Sequence, residues 1–181
     1  MDEEIFAVQN RVREDPRVLV PYLEDMLSRF DGNLLIRPGE PSLRTNEGPA
    51  AVKEAINALN SMAPMQKLKW NEDLERIARD LAEDTGPKGL TGHSSSDGTS
   101  FGDRFDGTSF LGIAENISYG ADTATEVIVQ LIVDDGVSSR GHRKNIFNPD
   151  YNRTGIFTGY HKIYDTMTVI DYARARETDG N

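Results

Sequence analysis

Thr154-Gly155-Ile156-Phe157-Thr158-Gly159-Tyr160 and Met167-Thr168-Val169-Ile170-Asp171-Tyr172-Ala173 decide the fold class. Both runs are rich in β-branched and aromatic residues, which suit a pleated, half-buried surface. His161 to Thr166 joins them. A short third strand is expected around Ile117 to Tyr119. Ahead of these runs, apolar residues recur at helical spacing. Helices first and strands late imply an α+β fold with a small antiparallel sheet.

Working back from the strands, Val127, Ile128, Leu131 and Ile132 place a helix over Ala124 to Asp134. Leu74, Ile77, Ala78, Leu81 and Ala82 form the buried stripe of another, with Asn71 as its N-cap. Gly86-Pro87-Lys88-Gly89 stops it. A further helix is expected from Ala50 to about Leu59. Near the start, Ile5, Phe6, Val8 and Val12, then Val18, Leu19, Leu23, Met26 and Leu27, read as two helices. Asp15-Pro16 separates them, because proline is tolerated at a helix start and clashes inside one. Leu34 to Glu47, rich in Pro, Gly, Arg and Asn, reads as loop. The expected organisation is a single domain over 1–175, elaborated by an insertion over about 32–66, with a frayed charged tail at 176–181.

A chain of 181 residues with 37% apolar content can bury a real core without staples. It carries 20 Lys and Arg against 30 Asp and Glu, a net charge of −10. That balance does not suit a phosphate backbone, which needs clustered cations, so no nucleic acid is expected as partner. It also argues against electrostatic attachment to an anionic membrane. No apolar run is long enough for a transmembrane segment. Met1-Asp2-Glu3-Glu4 is not the start of a signal peptide, which fits a cytoplasmic protein or one whose signal has been cut. There is no cysteine, so disulfides, thiolate metal sites and thiol nucleophiles are excluded. Any metal must be held by carboxylates and by His93, His142 and His161.

From Leu90 to Phe110 the composition shifts to Ser, Gly, Asp and Thr. Such a stretch can be a flexible linker, yet it is long for an idle loop in a compact domain. His93 lies in it, in Thr91-Gly92-His93-Ser94, and His142 lies in Arg140-Gly141-His142-Arg143-Lys144-Asn145. Glu115 falls between them, and Asp134-Asp135 shortly precede His142. Two imidazoles and one or two carboxylates from separate elements can make one cleft. The set can ligate zinc, with a carboxylate orienting a ring or serving as base. Without metal it can hold a proton near neutral pH, or it can simply brace loops. Spacing alone does not choose, since the helix-borne His-Glu-x-x-His pattern is absent. His161 reads as a turn residue, Trp70 as core, and Arg143 with Lys144 as surface charges. Ser94-Ser95-Ser96 lacks a nucleophile elbow. Asp97, Asp103 and Asp106 do not have EF-hand spacing.

Gly92-His93-Ser94, Ala114-Glu115-Asn116-Ile117, Gly141-His142-Arg143-Lys144-Asn145-Ile146-Phe147-Asn148-Pro149 and Thr154-Gly155-Ile156, in that order, resemble the CAP superfamily, also called SCP domains. Leu68-Lys69-Trp70-Asn71-Glu72-Asp73-Leu74 and Asn10-Arg11-Val12-Arg13 extend the likeness, which is to the cysteine-poor microbial branch. The resemblance implies an α-β-α sandwich around a three-stranded antiparallel sheet, with a large cleft. It implies a tetrad of two His and two acids, of which His93, Glu115 and His142 match. The family's fourth acid does not match cleanly, and Asp134 and Asp135 are the candidates. Also implied are a secreted or cell-envelope location and a role as a binding module for zinc, a lipid or sterol, or a protein partner. A metal-assisted hydrolase using His93, His142 and Glu115 is the alternative.

Overall fold

A computed structural model describes residues 1–176. Beyond Arg176, the tail expected to fray lies outside the described residues. Helix α1 (Asp2–Glu14) ends where the sequence breaks. The Asp15 carboxylate accepts from Arg17 N at 3.1 Å and caps a 3-10 turn, Pro16–Leu19, which leads into α2 (Val20–Ser28). The stretch read as loop instead joins a small antiparallel sheet of β1 (Phe30–Asp31), β2 (Leu34–Leu35) and β3 (Leu43–Arg44). Strands of two residues have no readable periodicity. They exist because Thr45 N donates to Asn33 O at 2.9 Å and because Asp135, far along the chain, accepts from Asn46 N at 2.7 Å.

Helix α3 (Pro49–Ser61), strand β4 (Lys69–Trp70) and helix α4 (Glu72–Thr85) come next. Asn71 caps α4 by accepting from Leu74 N at 3.0 Å. Strand β5 (Gly112–Tyr119) precedes α5 (Ala124–Val133), which opens on a reciprocal Thr123/Glu126 capping box. Short α6 (Gly141–Ile146), then β6 (Arg153–His161) and β7 (Asp165–Arg174) complete the order. The main sheet runs β4-β6-β7-β5. Its antiparallel heart is the expected three strands, and β4 adds a two-residue parallel rung at Lys69 and Trp70. Strand β5 begins five residues before the expected Ile117. Gly112, Ala114 and Asn116 are weak strand formers, and only their ladder to β7 recruits them.

The sheet lies between two helical layers. On one face Ile156, Ile170 and Tyr172 join Ile5, Val12, Leu59, Ile128 and Ile132 in one core. On the other, Met167, Val169 and Ile117 meet Ala78, Leu81 and Ala82 of α4. Gly155 permits that second contact, since an added Cβ would sit 2.0 Å from Glu75 N. Arg13, fully buried at the end of α1, locks the layers. Its guanidinium donates to the carbonyls of Gln66 (2.9 Å), Ile146 (2.5 Å), Asn148 (3.2 Å) and Tyr151 (3.4 Å). Burial lowers its pKa to about 10. Together these contacts tie the end of α1 to the chain entering β4 and to the connection between α6 and β6.

Candidate functional site

The Ser/Gly/Asp-rich stretch from Leu90 to Phe110 is an ordered loop. Asp84 of α4 anchors it, accepting from Ser96 N and Oγ at 2.6 Å each and pairing with Lys88. The Lys88 ammonium, then the Ser96 donors, pull Asp84 down to about 2. Phe101 and Phe105 stack edge to face and pack with Leu74, Ile77 and Ala173. Gly92, at φ +102, turns the chain into His93, and its N–H donates to the Tyr119 hydroxyl at 3.0 Å.

This loop delivers His93 to β5. His93 Nδ1 lies 2.8 Å from Glu115 Oε1. An ionised carboxylate only accepts, so Nδ1 carries the hydrogen. The other Glu115 oxygen takes Arg104 Nη2 at 2.7 Å, and the same nitrogen donates to His93 O at 3.1 Å. The Glu115 side chain is 1% exposed and that of Arg104 6%, whereas the imidazole is 49% exposed. Carboxylate and guanidinium thus form a buried mount, and the ring faces outward. Directly across the ladder from Glu115 stands Asp171, fully buried, with neither oxygen hydrogen-bonded among the described residues. Burial, then the Glu115 charge, push its pKa well above the usual carboxylate range, against a partial offset from Arg104.

The second histidine is mounted in the same way. Asp134 closes α5 in the left-handed conformation, φ 55, which turns its carboxylate back over the start of α6. Oδ2 accepts from His142 N at 2.9 Å and Oδ1 from His142 Nδ1 at 2.6 Å. The acid is 2% exposed and the ring 27%. Neither His93 Nε2 nor His142 Nε2 has a hydrogen-bond partner among the described residues. Asn116, next to Glu115 on β5, reaches the segment that carries His142. Its amide donates to His142 O at 3.0 Å and accepts from Asn145 Nδ2 at 2.8 Å.

Of the two acids proposed beside His142, Asp134 pairs with it and Asp135 does not. The Asp135 carboxylate accepts from Asn46 N (2.7 Å) and Glu47 N (2.8 Å), and so ties the connection between β3 and α3 to the end of α5. Between that connection and β5 opens a cavity of about 630 Å³, lined by His142, Asp134, Ile117, Tyr119, Leu35 and Val129 among others. His161 is a buried brace: Nε2–H donates to Leu90 O at 3.1 Å, and Nδ1 accepts from Ile163 N and Tyr164 N. The surface reading holds for exposed Lys144 and fails for Arg143. Arg143 is buried, donates to Ile132 O at 2.6 Å, and grips Glu54 with two nitrogens. Sequence reasoning missed Arg104 and Asp171. An Arg in a polar loop reads as solvated, and an Asp between apolar strand residues gives no sign of facing Glu115.

Two free imidazole nitrogens, each with its other nitrogen given to a carboxylate, suit a divalent metal. Among the described residues no group of three or more His, Asp or Glu is arranged to hold one.

The sequence model of the CAP family, described as the cysteine-rich secretory protein family, matches residues 53–172. An uncharacterized Bacillus subtilis protein, YkwD, is 33% identical over 110 residues, which cover 58% of this chain and 40% of that protein. An extracellular protein containing an SCP domain from Bacillus anthracis superposes with TM-score 0.51 at 18% identity, over 71% of this chain and 38% of that one. An outer surface protein of Borrelia burgdorferi gives 0.52 at 18% identity, over 81% and 100%. Schistosoma mansoni venom allergen-like protein 4 gives 0.51 at 13% identity, over 97% and 89%. At these identities the structures share the fold. The matched part of this chain spans well under half the length of the two Bacillus relatives.

Proposed function

This chain belongs to the CAP family of cysteine-rich secretory proteins; we propose that it is a binding module acting outside the cell or at its envelope. Its ligand-facing atoms are the Nε2 nitrogens of His93 and His142. The observation that carries this reading is the repeated mount, an outward imidazole given through Nδ1 to a carboxylate at most 2% exposed. Building the same device from two unrelated stretches of chain costs desolvation twice. Bracing alone would not leave both distal nitrogens free. Bacillus anthracis and Borrelia burgdorferi proteins with this fold are described as extracellular and outer-surface, which supports the location.

The first ligand to test is a divalent cation, with His93 and His142 as its protein ligands. A bound zinc ion would supply Lewis acidity there. Glu115 and Asp134 fix the tautomer, and Arg104 holds Glu115 in place. The adjoining cavity gives room for an organic partner, whether a lipid, a sterol or a protein side chain. Holding is favoured over hydrolysis by the state of Glu115. Both of its oxygens are engaged, which leaves it poorly placed to act as base on water. Calorimetric zinc titration of chelator-treated protein, beside the His93→Ala/His142→Ala double variant, tests the reading. Stoichiometric binding lost in the folded double variant is expected. No binding in folded parent, or equal binding in both proteins, overturns it.

A further inference from the structure

We propose that the cleft takes an extended polypeptide segment, which pairs through its main chain with the outer edge of β5. The proposal rests on the reading of the cleft as a binding site, and it names the occupant. The sheet ends at β5. In its antiparallel ladder to β7, Gly120 N donates to Thr166 O at 3.0 Å and Gly112 stands opposite Arg174. That register assigns the even residues Gly112, Ala114, Asn116 and Ser118 to hydrogen bonding with β7, because paired and unpaired positions alternate. The odd residues Ile113, Glu115, Ile117 and Tyr119 therefore aim their N–H and C=O groups away from the sheet. Two side-chain contacts agree with this phase: Tyr119 O accepts from Gln130 Nε2 at 3.2 Å, and Ile113 O takes the Tyr151 hydroxyl at 3.5 Å.

Between those two closed ends, Glu115 and Ile117 keep both outward main-chain groups without a partner among the described residues. Free strand edges are usually blunted by Lys, Pro, a bulge or a covering element. Here the free rung carries the residue that mounts His93, and Ile117 lines the 630 Å³ cavity beside His142. Donor and acceptor repeat every second residue, about 7 Å apart. Only another extended backbone offers the complementary pattern along its whole length, which is strand addition. A peptide so placed runs past Glu115, which mounts His93, and past Ile117, which lines the cavity beside His142. Alternate side chains face the loop carrying His93 and the cavity lined by Leu35 and Val129, which suits an apolar residue.

Amide hydrogen exchange, read by NMR on the full chain, tests this with a panel of blocked heptapeptides alternating threonine with valine, leucine or phenylalanine. In free protein, Glu115 and Ile117 amides exchange faster than those of Asn116 and Ser118. A bound peptide slows the first pair about tenfold or more and leaves the second unchanged. N-methylating the peptide at the positions facing β5 weakens binding about tenfold, and methylating the alternate positions does not. The inference is overturned if Glu115 and Ile117 are already as protected as their neighbours. It is equally overturned if no peptide slows them, or if both methylation phases bind alike. Zinc binding with no peptide effect would leave the cleft reading standing and remove the polypeptide. Peptide pairing without zinc binding would do the reverse to the metal.

Discussion

Asp134→Asn isolates what the carboxylate does for His142. The residue sits at φ 55, where asparagine is among the few side chains accepted without strain, so the backbone turn survives. Size and shape are also kept. What changes is one acceptor oxygen. Asp134 receives two hydrogens from His142, at 2.9 Å from the main chain and 2.6 Å from Nδ1. The amide can accept one of them, and its NH2 must face the other. The stability loss is one hydrogen bond to a charged acceptor, about 1.5–3 kcal/mol. With a urea slope of about 2 kcal/mol/M, the midpoint falls by roughly 1 M. The larger effect is on the ligand-facing atom. Once Nδ1 must accept from the NH2, the ring hydrogen moves to Nε2 and closes the ligating position. Zinc affinity should fall about 10–100-fold, the usual cost of a lost outer partner. Asp135→Asn is the control: it loosens the ties to Asn46 and Glu47 and leaves zinc affinity unchanged. Urea melts and zinc titrations of the three proteins decide. Parental zinc affinity in Asp134→Asn would refute the idea that this acid fixes the imidazole.

Two further outcomes stem from buried charge. Asp171 is raised well above 3.8 in the folded chain, so the folded state holds its proton more tightly than the unfolded one. Its contribution is full below about pH 4 and declines as pH rises through the folded value, by at most about 1.4 kcal/mol per pH unit. Asp171→Asn stays neutral and should overtake the parent in urea melts as pH climbs from about 4; parallel curves would contradict this. Arg13→Met keeps the volume but strips four carbonyls of their donor. A loss of about 3 kcal/mol or more is expected, and a loss below about 1 kcal/mol would mean the lock is idle.

The parts of the fold legible in the sequence are those with enough length for periodicity to speak. The stripe on α4 and the β-branched and aromatic runs of β6 and β7 are local facts, and so is the Asn71 cap. The three short strands over Phe30–Arg44 are not, because two residues carry no period and Asp135 pins the adjoining segment from far along the chain. At the site, His93, Glu115 and His142 stood out by motif. The choice between Asp134 and Asp135 depended on one left-handed residue, which turns the first carboxylate inward and leaves the second for the connection between β3 and α3. Arg104, Arg143 and Asp171 were hidden because burial of charge is a property of partners brought in from elsewhere: Glu115 for the first and third, Glu54 for the second.

The most direct measurement is a long-range 1H–15N spectrum of the three imidazoles at a pH where they are neutral, before and after adding zinc. The account predicts the Nδ1–H tautomer for His93 and His142 and the Nε2–H tautomer for His161, whose Nε2 faces Leu90 O. Zinc should shift the Nε2 resonances of the first two and leave His161 alone. Nε2–H tautomers at His93 and His142, or Nε2 resonances that zinc does not move, would contradict the claim that these rings are mounted to hold a ligand.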